Sequence, residues 1–232
     1  MTSHTELPDA AELAEARALV YTQMSATAQY AWPLLRDELG AEVWVKHENH
    51  TPTGAFKVRG GITFMAWLRQ TYPDCRGIVT ATRGNHGQSQ ARAATAAGLS
   101  AMIVVPQGNA REKNAAMRAF GATVIEYGDD FDTARIEAER VAQQKDLFLV
   151  PPFHRALVAG VASYALELFE AAGKLDRVYV PIGCGSGICG VIAARDALKL
   201  TTEIVGVVST EADAARRAFS SGQAETSASS DW

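Results

Sequence analysis

From about residue 43 onward, short apolar runs alternate with longer segments in which alanines and other apolar residues recur at helical spacing. The pattern predicts strands over Val43–Glu48, Gly77–Ala81, Ala101–Pro106, Thr123–Tyr127, Leu147–Val150, Arg177–Ile182 and Glu203–Val208. Between them it predicts helices over Val58–Arg69, Asn85–Ala97, Ala110–Phe120, Phe131–Lys145, Val158–Ala172 and Ile188–Leu198. Several strands are almost wholly apolar (AMIVVP, RVYVPI, EIVGVV), which suits parallel strands covered on both faces. Gly98, Gly121 and Gly173 each stand between a helix and the next strand, where a left-handed cap residue is expected. The repeated β–α–β order predicts an α/β architecture built on parallel sheets. The first 28 residues read as one amphipathic helix, AAELAEARALVYTQM, lying on the outside or at a subunit contact.

Composition narrows the class without changing that outline. A chain of 232 residues with 47% hydrophobic content is long enough to bury a substantial core. The net charge of −4 and the absence of any basic run argue against nucleic acid as a partner, because phosphate binding needs clustered Lys and Arg. No apolar stretch approaches the roughly 18 residues of a membrane span, and the polar N-terminus resembles neither a signal nor a transit peptide. The three cysteines, Cys75, Cys184 and Cys189, form no CxxC pair and read as reduced thiols in a cytoplasmic protein.

Open parallel sheets bind ligands at the C-terminal ends of their strands, and three such loops here are unusual. The first, residues 47–60 (HENHTPTGAFKVRG), places Lys57 at a helix start. The macrodipole disfavours a cation there, and the same field with partial burial lowers a lysine pKa and exposes a neutral amine. On position alone a plain surface lysine is the commoner outcome. The second, residues 82–89 (TRGNHGQS), brackets Asn85 and His86 with Gly84 and Gly87. It reads equally as a nest for a carboxylate or as an ordinary Asn cap with a glycine turn. The third, residues 183–190 (GCGSGICG), leaves consecutive amides able to surround a phosphate. Its Gly185, Gly187 and Gly190 also fit a dinucleotide fingerprint with Glu211 as acidic partner, although such a fingerprint normally opens the first βαβ unit.

Taken together, the three loops resemble those of the fold type II pyridoxal-phosphate (PLP) enzymes, and within them the threonine/serine dehydratases. The family's Ser-Phe-Lys-x-Arg-Gly motif appears as Ala55-Phe56-Lys57-Val58-Arg59-Gly60, and its Ser-x-Gly-Asn-His-Gly-Gln loop as Thr82 to Gln88. Its glycine-rich phosphate loop appears as residues 183–187, and the resemblance runs from about Ala28 to about Glu211. It implies two open parallel-sheet domains of the tryptophan synthase beta-subunit-like kind. The large one comprises residues 1–72 and 156–232, and the small one residues 73–155. It also implies pyridoxal 5'-phosphate as cofactor and Lys57 as its Schiff-base lysine. Phe56 is expected beside the pyridine ring and Asn85 on the ring hydroxyl. The amides of Gly183, Cys184, Gly185, Ser186 and Gly187 are expected on the phosphate. The substrate carboxylate falls to the loop of Thr82, Arg83, Gly84 and His86. The implied reaction converts a 3-hydroxy amino acid (threonine, serine or a 3-hydroxyaspartate) to a 2-oxo acid and ammonia, with Lys57 taking the Cα proton.

Departures from the family pattern are few. Ala55 stands where the family has a serine hydroxyl. Arg83 stands where the racemases carry a proton-transferring serine, and a guanidinium stays protonated. Arg83 therefore reads either as a solvent-facing loop residue or as a contact for a second anionic group on the substrate. Ser209 and Thr210 occupy the place of a metal-binding glutamate, so no metal is expected, and His47 and His50 read as polar loop residues. Family members continue well beyond EIVGVV, where this chain turns to a polar, Ser-rich tail without strand pattern. The large domain is therefore expected to lack its C-terminal portion. Three alternatives remain open: a sibling activity (racemisation, β-replacement, threonine synthesis), an inactive PLP-binding remnant, and a nicotinamide-binding protein. Homo-oligomerisation is carried over from the family.

Overall fold

The computed structural model describes residues 6–225. Helix α1 spans Ala10–Tyr21, starting at Asp9, whose carboxylate accepts from the Ala11 and Glu12 amides while Glu12 bonds back to the Asp9 amide. This is shorter than the single helix expected of the first 28 residues: Thr22 closes it, and residues 1–5 lie outside the described residues. Its buried stripe of Leu13, Ala16 and Val20 faces the core. Two elements escaped the hydrophobic pattern, strand β1 (Gln29–Ala31) and helix α2 (Pro33–Leu39). They precede β2 (Trp44–Lys46), which pairs antiparallel with β1 rather than joining a parallel sheet.

Helix α3 (Lys57–Thr71) then leads into the regular part of the chain. Strands β3 (Gly77–Ala81), β4 (Ser100–Val105), β5 (Thr123–Glu126) and β6 (Phe148–Leu149) form a parallel sheet in the order β5-β4-β3-β6. Helices α4 (Asn85–Ala96), α5 (Arg111–Ala119) and α6 (Phe131–Lys145) connect them. Side-chain alternation explains why β3 and β4 are largely apolar, since both their faces are covered, while the outer β5 (TVIE) is partly exposed and ends in Glu126. Ile78, Ile103 and Val105 pack with α3, α4 and α5, while Val79 and Val104 turn to Ala134, Ala138 and Val141 of α6. Gly98 and Gly121 adopt φ of 69° and 91°, as expected of cap residues ahead of β4 and β5.

Helix α7 (Arg155–Ala172) returns the chain past α3. Strands β7 (Arg177–Pro181) and β8 (Glu203–Val207) pair in parallel on either side of α8 (Ser186–Ala197), and α9 (Ala214–Ser221) follows. Helix α9 extends into the stretch read as a polar tail, residues 218–232, of which 226–232 lie outside the described residues. A second core joins Leu13 of α1 to Val161, Ala165 and Phe169 of α7 and to Val180 and Val191. Among the described residues, no helix is long and apolar enough to cross a membrane.

Three glycines let α3, α7 and α8 approach closely. A Cβ on Gly60 would stand 2.7 Å from the Leu157 carbonyl oxygen, and one on Gly190 would stand 3.0 Å from the Ala162 nitrogen. At Gly160 it would collide with the Arg59 carbonyl and the Thr63 hydroxyl. Backbone cannot yield as a side-chain tip can. Gly160→Ala should therefore lower stability by about 1–3 kcal/mol, the usual cost of overpacking, read as a fall in denaturant midpoint. Ala171→Ser, on the exposed end of the same helix, should stay within about 0.5 kcal/mol of the parent. Equal behaviour of the two variants would refute the role of the α3–α7 contact.

Candidate active site

The loop before α3 is organised by its own threonines. The Thr51 hydroxyl accepts from the Ala55 amide at 2.9 Å and donates to the Ala55 carbonyl at 2.8 Å, with Thr53 adding a 3.4 Å bond to that carbonyl. Gly54, at φ 67°, makes the turn between them. These bonds deliver Phe56 as the cap of α3 and Lys57 as its first residue. The Phe56 ring lies 5.9 Å from that of Tyr164 and against Gly187, where a Cβ would meet its edge at 3.2 Å. The Lys57 ammonium stands 4.9 Å from the centroid of the same ring.

Lys57, Gly60, His86, Pro152, Leu157, Val161 and Ser186 line one narrow cleft. Lys57 begins α3, His86 lies in the first turn of α4 and Ser186 begins α8, so three helix N-termini converge on it. Their aligned dipoles disfavour cations and favour anions. Burial lowers the Lys57 pKa, against a smaller opposing influence from Cys184. Burial and then the Lys57 charge push His86 down to about 3, so its imidazole is neutral at physiological pH. His86 Nε2 is buried and has no hydrogen-bond partner, an uncommon state for a buried polar atom.

The loop between β7 and α8 supplies donors. Gly185 takes φ 93°, and the first helical bond of α8 runs from the Cys189 amide to the Gly185 carbonyl at 3.0 Å. Among the described residues, no acceptor pairs with the amides from Gly183 to Ile188. A run of unpaired amides at a helix start, beside a lysine held toward neutrality, fits a phosphate-bearing aldehyde such as PLP. The donor set and the lysine suit that cofactor better than a dinucleotide, for which Glu211 would have to serve; Glu211 is exposed and bonds Ser209 and Thr210.

The loop 82–87 is built differently. The buried Thr82 hydroxyl accepts from the amides of Gly84 at 2.9 Å and Gly87 at 3.3 Å, so Thr82 holds the loop's shape. That leaves the amides of Asn85 and His86 unpaired at the start of α4, with the Asn85 side chain exposed. Arg83 does not line the Lys57 cleft; its charge acts on Asp130, the cap of α6. His47 and His50 stack on each other at 5.2 Å beside β2.

Sequence reasoning gave no role to the groups that hold this site together. Arg59, two residues after Lys57, is fully enclosed and bonds Glu48 at 2.8 and 2.9 Å and Glu167 at 2.6 and 3.1 Å. Its place inside the Phe56–Gly60 motif was the available signal. Ser89 donates to the Lys57 carbonyl at 2.6 Å, and Tyr164 donates to the Gly187 carbonyl at 3.4 Å. Neither contact is visible in a local pattern.

A family model described as "Pyridoxal-phosphate dependent enzyme" matches residues 22–232. The biosynthetic L-threonine dehydratase of Pasteurella multocida is 33% identical over 95% of this chain and 43% of its own length. That of Escherichia coli is 34% identical over 93% of this chain and 42% of its own length. The chain thus spans about two-fifths of the length of these curated relatives. Among solved structures, maize serine racemase superposes with a TM-score of 0.91 at 25% identity, over 97% of this chain and 69% of that one. The processed threonine deaminase isoform 2 of Solanum lycopersicum gives 0.83 at 28% identity, over 94% and 65%. Both similarities agree with the α/β fold and its parallel sheets.

Because burial lowers the Lys57 pKa, its amine should react with an acylating reagent at lower pH than the exposed Lys199. Mass-spectrometric labelling across a pH series should show Lys57 half-modified at the lower pH. Lys57 modified only in step with Lys199 would contradict this account.

Proposed function

This chain belongs to the pyridoxal-phosphate dependent enzyme family, and from that premise we propose that it acts as a lyase of the threonine/serine dehydratase kind. Its substrate is a 3-hydroxy amino acid and its products are a 2-oxo acid and ammonia. The observation that carries this reading is the cleft shared by Lys57, His86 and Ser186, with unpaired amides on both sides of the lysine. The 33 and 34% identity with L-threonine dehydratases over nearly the whole of this chain supports the lyase chemistry. The arginine at position 83 does so too, since it cannot shuttle a proton.

Pyridoxal phosphate, when bound, supplies an electron sink for the charge that develops at the substrate Cα. Lys57 is the residue that would hold it covalently, and the amides of Gly183, Cys184, Gly185, Ser186 and Gly187 would hold its phosphate. Phe56, already packed on Gly187, would flank the ring, and Asn85 would meet its hydroxyl. Lys57 would serve as the base that takes the Cα proton, while the β C–O bond breaks and the hydroxyl departs with a proton as water, a role favoured by the burial that lowers the Lys57 pKa. The loop of Thr82, Arg83, Gly84 and His86 receives the substrate carboxylate, with His86 neutral and so offering a hydrogen bond rather than a charge. On the same reading, residues 73–155 form the smaller of two domains, and residues 1–72 and 156–232 the larger.

The chain supplied with pyridoxal phosphate should release 2-oxo acid from serine, threonine or 3-hydroxyaspartate. Lys57→Ala should reduce that release by about a hundred-fold or more, the usual contribution of a positioned base. Arg83→Ala should weaken 3-hydroxyaspartate about ten- to a hundred-fold more than serine if the guanidinium meets a second carboxylate, as a charge-assisted bond requires. Serine racemised without release of oxo acid would overturn the lyase assignment, and equal losses on both substrates would remove Arg83 from substrate choice.

A further inference from the structure

Strands β3, β4 and β5 lie side by side, and their C-terminal ends present three charged groups on one edge of the sheet. The loop after β3 carries Arg83, the first turn of α5 after β4 carries Lys113, and the loop after β5 carries Asp130. Asp130 is held below the ordinary carboxyl range, first by its bonds from Thr133 and lastly by the charge of Arg83. Arg83 is therefore opposed by a carboxylate. Lys113 is not: among the described residues no carboxylate lies in ion-pair range of it. The nearby Glu126 is already bonded to Asn114 and Arg118, at 3.3 and 3.2 Å.

Lys113 lies over the loop that begins α4. A Cβ on Gly84 would collide with its Cδ and stand 3.2 Å from both Cε and Nζ, so only glycine lets the lysine lie there. The side chain is half-buried and sits in the first turn of a helix, where the macrodipole opposes a cation. An unopposed ammonium thus lies over Gly84, the residue that precedes the unpaired amides of Asn85 and His86, and His86 in turn lines the Lys57 cleft with a buried, unpartnered Nε2. An anion settling on the start of α4 would meet those amides with the Lys113 charge close by.

We propose that Lys113 is the counter-charge for the substrate's α-carboxylate, a binding residue of the loop 82–87. The assignment rests on the reading of that loop as the carboxylate site. It makes recognition there depend on charge as well as on amide geometry, so the site distinguishes a carboxylate from an uncharged carboxamide of nearly the same shape. It also separates two cations: Lys113 acts on every amino acid, whereas Arg83 bears only on those with a second acidic group.

The test compares wild type, Lys113→Met and Lys113→Arg. Methionine keeps an aliphatic chain over Gly84 without the charge, and arginine keeps the charge. On cofactor-loaded protein, wild type should bind serine about ten- to a hundred-fold more tightly than serinamide, as expected for one charge-assisted contact. The methionine variant should lose most of that preference and the arginine variant should retain it. Malonate against malonamide, titrated calorimetrically into cofactor-free protein, makes the same comparison without the cofactor. A methionine variant that keeps the wild-type preference in either titration overturns the proposal. The visible absorbance of lysine-bound cofactor, recorded on the same samples, reports separately on the PLP reading; its absence would sink that reading while the malonate titration still decides the role of Lys113.

Discussion

The guanidinium of Arg59 has no contact with water, and every donor it carries is met by the protein. It forms a two-point bond with Glu48 and another with Glu167, and Ser163 accepts a further bond at 2.9 Å. Lys46 adds a second cation on Glu167 at 2.5 Å, so two positive and two negative charges balance in a nearly dry pocket. Burial works against each charged form, yet the bonds prevail: they raise the Arg59 pKa and lower that of Glu167. A cluster of this kind adds little net stability over an apolar substitute, but removing one member strands its partner at a cost of about 3–5 kcal/mol. Its value is geometric. Arg59 comes from α3, Glu167 from α7, Lys46 from β2 and Glu48 from the turn after β2, so one cluster aligns the segments that enclose Lys57.

The same helices are brought within backbone contact by Gly60, Gly160 and Gly190, and the two constraints act together. Close approach of α3, α7 and α8 brings the starts of α3 and α8 to one cleft, and α4 adds a third through the Ser89 bond to the Lys57 carbonyl. Three converging N-termini make a region where an anion is welcome and a protonated lysine is not. The unpaired amides of residues 183–188 and the lowered pKa of Lys57 thus meet in one electrostatic arrangement.

Most of the regular fold was legible in the sequence. The apolar runs of β3 and β4, with α4 to α6 around them, announced themselves through two-sided burial, whereas β7 and β8, which read the same way, leave Tyr179 and Val207 exposed. The glycines at 98 and 121 marked their turns through left-handed backbone. What escaped was short or governed by distant contacts. Strand β1 has three residues, and α2 has no buried residue at all, so neither carries a hydrophobic period to read. The N-terminal pattern overran α1 because apolar residues continue past Tyr21 after the backbone has turned. Of the residues named from motifs, Lys57, His86 and Ser186 line one cleft. Lys113 could not be named that way, because its role depends on a lysine from one βα unit lying over a glycine of another, which no local spacing encodes.

The central claim is that the buried, dipole-exposed amine of Lys57 is the one that holds the cofactor. Borohydride reduction of the chain after incubation with pyridoxal phosphate, followed by peptide mapping, tests it most directly. The account predicts a single phosphopyridoxyl adduct on the peptide containing Phe56-Lys57-Val58. An adduct on Lys46 or Lys113 with Lys57 unmodified would contradict it.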